Sequence, residues 1–300
     1  MRKIKLFMDT LIEIKIATWN GTAEKEAEAA AERAFEHFRK VEQACSRFNP
    51  ESELMRACSI AGKPVNISPY LFGPLKFALE VANATDGRFD PTIGKAMEQH
   101  GFNQNYLTGE RISTASIDSA ATYRDIILDE STRSLRLKKP LIIDLGAVAK
   151  GFAIDLAAAE LNGFEGYIIN AGGDVYARGL ERKDTPWKIG LQHPVKTAEV
   201  IEVFDISNQA VCTSGSYERK NEDNPENHHI ILPETTRSPN RWVSSTVIAP
   251  SAMLADALST ACFLMEAEEA DILLEAAGAR GRLITPELKI VKVGGNKDDI

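Results

Sequence analysis

Apolar residues along this chain follow two periodicities, and the switches between them mark its elements. Ile12, Ile14 and Ile16 occupy every second position after Met8-Asp9-Thr10, which predicts two strands joined by a turn over residues 4–19. A helical period takes over at residues 23–45, where Ala27, Ala31, Ala34, Phe38, Val41 and Cys45 share one face. Asn20-Gly21 supplies the turn before it. Thr22 is its candidate N-cap, with Lys25 where a capping box has Glu. Pro50 forbids continuation beyond Ser46-Arg47-Phe48-Asn49. Residues 62–68 read as a turn and short strand, and Pro69 opens a helix to about residue 84, with Pro74 as a kink or restart. Gly87-Arg88-Phe89-Asp90-Pro91-Thr92 reads as a loop. Residues 123–128 and 135–137 read as a hairpin turning at 129–133.

Leu141-Ile142-Ile143 reads as a short buried strand, and Ile154, Ala157, Ala158 and Leu161 then trace one helical face. Residues 167–175 read as a strand broken by a bulge at Gly172-Gly173. Strands are expected near 187–192, 199–206, 210–213, 228–232 and 242–248. Helices over about 251–265 and 267–277, a hairpin through Leu283 and Ile290, and a loose tail at 294–300 complete the chain. Helices and strands mix without strict βαβ alternation. That predicts the α+β class, with mostly antiparallel sheets and packed helices. No repeat, low-complexity linker or composition shift divides the chain, so a single domain over 1–293 is expected.

Composition excludes several function classes. A chain of 300 residues, 44% hydrophobic and 26% charged, suits a globular protein with a sizeable core. A net charge of -8 without a basic run argues against nucleic acid and against an anionic membrane surface. No apolar run approaches the roughly 18 residues of a membrane span. Lys5, Asp9, Glu13 and Lys15 interrupt any apolar segment behind Arg2 and Lys3. Action in the cytoplasm is therefore expected, or in the periplasm if a leader has been trimmed. Cys45, Cys58, Cys212 and Cys262 are scattered without a Cys-x-x-Cys, as for free buried thiols.

Candidate chemistry concentrates in four stretches. Asp144-Leu-Gly-Ala-Val-Ala-Lys-Gly151 bridges the Leu141–Ile143 run and the helix opened by Lys150 and Gly151. Its N–H groups and glycines suit close approach of an anion, while a turn closed by a buried Asp144–Lys150 pair is the plain alternative. Asp256 and Thr260 lie one helical turn apart with Ser259 beside them, off the stripe of Leu254, Leu258, Ala261 and Met265. They are either hard oxygen ligands suited to Mg²⁺ or a solvated polar face. Thr213-Ser-Gly-Ser-Tyr-Glu-Arg219 gathers hydroxyls and an arginine behind a strand, as a phosphate-handling loop or a polar turn. His228 and His229 open the expected strand at 228–232, as an acid–base pair or as edge-strand residues. Five histidines without metal spacing speak against zinc.

In order along the chain these pieces resemble one family, the FAD:protein FMN transferases of the ApbE type. The matching elements are Met8-Asp9-Thr10, Ser46-Arg47-Phe48, Gly87 to Thr92, Asp144 to Gly151 and Asn170-Ala-Gly-Gly-Asp174. Thr213 to Arg219, His228-His-Ile-Ile231 and Ala255-Asp-Ala-Leu-Ser-Thr-Ala261 complete the set. The resemblance implies a single unit related to the T-fold. It implies FAD as substrate, a divalent cation such as Mg²⁺, and an acceptor flavoprotein whose threonine or serine hydroxyl receives FMN while AMP leaves. It implies Asp256, Thr260 and the Ala147 carbonyl as metal ligands, and His229 as the catalytic histidine. Met8, Phe48, Arg88, Phe89, Asp90, Asp144, Lys150 and Ile230 are the implied FAD contacts. Three positions depart from the family pattern: Asp9 replaces a glycine, Leu232 an aspartate near His229, and Thr236 a glycine. An FAD pyrophosphatase and a catalytically weakened FAD-binding protein are the competing readings.

Overall fold

A computed structural model describes residues 1–17, 24–105, 108–114, 117–118, 120–196, 198–218 and 227–295. The expected Asn20-Gly21 turn, the Thr22 cap, Arg219 and the last five tail residues lie outside them. In chain order the elements begin with β1 (Arg2–Phe7), β2 (Thr10–Ile16), α1 (Glu24–Cys45), α2 (Glu53–Cys58), β3 (Val65–Asn66) and α3 (Pro69–Ala84). Then come α4 (Gly94–Gln99), β4 (Ile126–Asp129), β5 (Ser134–Leu137), α5 (Ala149–Glu160), β6 (Gly166–Ala171) and β7 (Asp174–Gly179). The remainder is β8 (Trp187–Gln192), β9 (Val200–Ile206), β10 (Gln209–Gly215), β11 (Ser244–Ala249), α6 (Ala252–Phe263), α7 (Ala267–Ala276), β12 (Arg280–Ile284) and β13 (Ile290–Gly294). Pairing is antiparallel throughout these strands, in agreement with the expected α+β class. No helix among the described residues is long and apolar enough to cross a membrane. All four cysteines are free and buried, as their spacing suggested.

The chain divides into two compact units. Unit one takes Met1–Arg39, Lys150–Tyr217 and Asn240–Ile300; unit two takes Lys40–Ala149 and Glu218–Pro239.

Unit one is built on an eight-stranded sheet in the order β1-β2-β6-β7-β10-β11-β12-β13. Ile12, Ile14 and Ile16 alternate inward from β2 as the period of two requires. The β8–β9 hairpin adds Trp187, Leu191, Phe204 and Ile206 to a cluster with Val211, Ile248 and Ile284 of the sheet. Two hairpin turns carry the chemistry-bearing motifs. Met8 and Asp9 join β1 to β2 with φ of 53° and 58°, the two positive values of a type I′ turn. Aspartate tolerates that region better than most residues, which explains why Asp9 stands where the family has glycine. Gly172 and Gly173, at φ 63° and 102°, turn β6 into β7, so the expected strand with a bulge is instead a complete hairpin.

Helices α5 and α6 are tied to each other at their N-termini. A helix start leaves backbone N–H groups without intrahelical partners. The Asp155 carboxylate of α5 accepts those of Ala252 (2.7 Å) and Met253 (2.9 Å) in α6. In return, the Asp256 carboxylate of α6 accepts the N–H of Gly151 in α5 at 3.0 Å. Approach is so close that a Cβ on Gly151 would stand 2.4 Å from the Ala252 carbonyl. α6 itself is buried on nearly every side, Asp256 and Ser259 included. The solvated polar face allowed for Asp256 in the sequence is therefore absent.

Unit two holds α2 to α4 and a three-stranded sheet in the order β3-β5-β4. α3 runs unbroken through Pro74, and the short helices α2 and α4 were not visible in the apolar pattern. Three strand expectations change here. Leu141, Ile142 and Ile143 are buried but pair with no strand; Ile142 and Asp144 bond instead to the turn at Pro91–Gly94. Residues 228–232 form no continuous strand; His228 and Leu232 are bridge residues, Leu232 opposite Arg237. Tyr123–Asp125 is a 3-10 turn, and the strand begins at Ile126.

The paired caps have a pH signature. Burial pushes the Asp155 carboxyl up to about 6 from its ordinary 3.8, opposed by its two N–H donors and reinforced by the nearby Asp256 charge. A carboxyl raised on folding binds its proton more tightly in the folded state. Its contribution to stability is therefore largest below the ordinary value and is lost as pH rises through about 6. Urea denaturation of the wild type is expected to show this decline between pH 4 and 6 (, about two pH units), and Asp155→Asn is expected to flatten it. An unchanged slope in the variant would assign the decline to other groups.

Candidate functional site

Within unit one, the expected residues Lys150 and Asp256 stand at the joined helix starts, and Thr260 lies one turn further along α6. Asp174, at the start of β7, is 2% exposed and pairs with the Lys150 ammonium while also accepting the Thr213 N–H at 3.2 Å. The lysine is thereby aimed by a residue that the sequence reading quoted within a motif but gave no role. Ser214, from the end of β10, places its hydroxyl 2.9 Å from that of Thr260 and 2.8 Å from that of Ser259. Thr213 points to the opposite sheet face, where its hydroxyl meets that of Thr246 at 2.9 Å. Met8 sits in the β1–β2 turn of the same unit.

Asp256 is a heavily desolvated carboxylate, 4% exposed. Burial drives its pKa upward, opposed by the Lys150 charge and the Gly151 N–H. Lys150 acts through space, its ammonium being paired with Asp174. Among the described residues no group of three or more His, Cys, Asp or Glu could hold a metal, so a soft-metal cage is not present. Asp256 and Thr260 instead offer one carboxylate and one hydroxyl. That hard-oxygen set suits Mg²⁺, which keeps several non-protein oxygens. A cation there would also offset the cost of a buried charge. The residues of this unit thus fit the metal that the resemblance implies.

Unit two holds the other expected residues. Asp144 accepts from Arg47 Nε at 2.7 Å and from the Gly146 N–H at 2.8 Å, so its carboxylate closes its own turn. Two ion pairs form here, Asp144–Arg47 within unit two and Lys150–Asp174 within unit one. Ala147 lies in the turn at 146–148 that leads into α5. The Arg47 guanidinium stands over the Phe48 ring, 4.6 Å from its centroid. Arg88 is half-buried; Phe89 and Asp90 are buried. Both Asp90 oxygens are engaged, one by the Thr92 N–H and hydroxyl and the other by the Tyr123 N–H. Asp90 therefore shapes this loop from inside.

The two histidines differ in kind. His228 is buried, with Nε2 2.8 Å from the Pro239 carbonyl and Nδ1 accepting the Ile230 N–H at 3.3 Å. Those partners assign the proton to Nε2 and give the ring a structural role. His229 is half-buried and meets the Phe102 ring edge-on, centroids 6.4 Å apart. Ile230 is buried, and Ile231 packs with Met97 and Phe102. Leu232 and Thr236 close the next turn, with Thr236 at φ 53°. That left-handed position costs a β-branched residue roughly 1–2 kcal/mol, which a glycine would avoid. Thr236→Gly is accordingly expected to raise the thermal midpoint by a few degrees; a lowered midpoint would show that the threonine side chain stabilises the turn.

Comparison with known proteins gives these positions a context. The ApbE family model matches residues 8–282. A protein of Rhodobacter capsulatus named FAD:protein FMN transferase is 29% identical over 283 residues, covering 91% of this chain. The chain spans only 53% of that longer relative. The crystal structure of an ApbE protein from Thermotoga maritima is similar with a TM-score of 0.84 and 27% identity, covering 98% of this chain and 96% of that one. The flavin transferase ApbE of Vibrio cholerae gives 0.83 at 26% identity, covering 100% and 98%. With the family model matching most of its length and the fold shared end to end, this chain belongs to the ApbE family.

Proposed function

We propose that this protein transfers FMN from FAD to a threonine or serine hydroxyl of an acceptor flavoprotein and releases AMP, with Mg²⁺ bound. The observation that carries this reading is the buried Asp256 carboxylate one turn from the Thr260 hydroxyl, in a chain whose relatives bear the transferase name. Asp256, Thr260 and the Ala147 carbonyl are the groups that would hold the metal. When bound, Mg²⁺ neutralises charge on the diphosphate of FAD. Lys150, aimed by Asp174, supplies a fixed positive charge for phosphate oxygens. Met8, Phe48, Arg88, Phe89, Asp144 and Ile230 contact FAD in this reading, and Asp90 supports the loop that carries two of them.

In the reaction the acceptor oxygen attacks the phosphorus of the FMN moiety. The bond from that phosphorus to the bridging oxygen breaks, and AMP departs with the bridging oxygen. His229 takes the proton of the attacking hydroxyl. Leu232 leaves no carboxylate three residues on to orient that imidazole, which favours a modest rate. Water in place of the acceptor would make the same groups a pyrophosphatase. Incubation with FAD and Mg²⁺, with and without an acceptor flavoprotein, distinguishes the readings. AMP release only with acceptor, together with a one-FMN mass increase of the acceptor, is the expected result. AMP without acceptor indicates hydrolysis, and bound FAD without AMP indicates a binding protein.

Three variants test the assigned roles. Asp256→Asn keeps an oxygen for the Gly151 N–H, so the thermal midpoint is expected to stay near wild type while Mg²⁺-dependent AMP release falls at least about 10²-fold. Retained release would remove Asp256 from the metal. His229→Ala is expected to lower single-turnover transfer by roughly 10²–10⁴-fold with little effect on the midpoint. His228→Ala should do the reverse, losing about 1–3 kcal/mol of stability through its orphaned buried partners. A large kinetic loss confined to His228→Ala would exchange the two assignments.

A further inference from the structure

The Ser46-Arg47-Phe48 motif contains a residue to which neither the resemblance nor the proposed reaction gives a task. Arg47 is 3% exposed, which is rare for an arginine and is stable only when its charge and donors are matched. Three polar groups of unit two surround its guanidinium. Nε donates to Asp144 Oδ2 at 2.7 Å and Nη2 donates to the Phe102 carbonyl at 2.8 Å. Nη1 faces Glu98 Oε1 at 3.9 Å, an ionic contact without a hydrogen bond. Glu98 is held in turn by the Lys95 ammonium at 3.0 Å and by the Thr114 N–H and hydroxyl. Lys95, Glu98, Arg47 and Asp144 thus form a row of alternating charges that ends on the Asp144 turn.

We propose that Arg47 is a positioning residue for flavin binding that acts through the Asp144 carboxylate held by Nε, with Nη2 anchoring the guanidinium on the Phe102 carbonyl. This rests on the reading of Asp144 as an FAD contact. Asp144 has its second oxygen on the Gly146 N–H, so the Arg47 bond holds the carboxylate at a defined rotation about its turn. The Phe102 bond reaches a second feature, because the Phe102 ring meets His229 and packs with Ile231. One planar fork therefore spans the Asp144 turn and the backbone beneath the His229 loop. A lysine at this position has one ammonium and cannot reproduce the two directed bonds. Gly94 lies against the same region: a Cβ there would stand 2.6 Å from Ile142 Cγ2, 2.8 Å from the Ile142 carbonyl and 3.2 Å from Arg47 Cδ.

A double-mutant cycle on the full chain tests this, reading FAD affinity by calorimetric titration in Mg²⁺. Asp144→Asn and Arg47→Met are each expected to weaken FAD binding about 10-fold or more, as lost charge-assisted bonds do. In the Asp144→Asn background, Arg47→Met is expected to add less than about 2-fold, because its effect passes through Asp144. A merely structural arginine would instead give additive losses, and either additivity or an unweakened Arg47→Met would overturn the proposal. An Asp144→Asn variant with wild-type affinity would defeat the flavin-contact reading of Asp144 itself, and this proposal with it. If Arg47→Met does not fold, Arg47→Lys takes its place in the cycle. It keeps the charge, and is expected to weaken binding partially in the wild-type background and not at all with Asp144→Asn.

Discussion

The exchange of carboxylates between α5 and α6 is the constraint on which unit one depends. Each helix start has orphan N–H donors, and each receives a carboxylate from the other helix. The arrangement demands glycine at 151, since any Cβ would strike the Ala252 carbonyl. It also buries two like charges near each other, which is why burial and mutual repulsion both raise Asp155. Such a device is costly unless something compensates. The dipoles at the two helix starts supply part of the compensation, and the Lys150 charge supplies more at Asp256. In the proposed reading a divalent cation at Asp256 would supply the rest.

The remaining acidic residues show how the fold separates supporting roles from presenting ones. Asp174 is spent on Lys150 and the Thr213 N–H, and Asp90 on the turn at Pro91–Ile93 and on Tyr123. Asp144 is gripped by Arg47, whose own burial is made tolerable by Glu98 and the Phe102 carbonyl. Each of these carboxylates orients another group or is itself oriented. The histidine pair divides in the same way, with His228 building the loop and His229 left beside the Phe102 ring.

The departures from the family pattern acquire physical content from the backbone. Asp9 occupies the second positive-φ position of a two-residue hairpin, where aspartate is an acceptable substitute for glycine. Thr236 occupies another such position and is a poor substitute, because its branched Cβ crowds the left-handed backbone. Leu232 is bridged to Arg237 through the main chain, so that exchange leaves the turn in place.

By itself the sequence determined the elements whose signal is local. Period-two alternation located β2, helical spacing located α1 and α6, and Pro69 and Pro50 marked helix limits, because these depend on residues close in the chain. Motif order likewise led to the family and to nearly every candidate residue. Only the tertiary structure decided which partners those residues take. Leu141 to Ile143 looked like a strand because burial selects the same residues in a sheet and in a packed loop; their backbone bonds go to a turn some fifty residues away (, about 50 by sequence separation). Asp256 looked amphipathic because a lone helix cannot reveal that a second helix covers its polar side. The pairings Asp144–Arg47 and Lys150–Asp174 were undetermined for a related reason: each joins residues far apart in the chain, and long-range packing selects the partner.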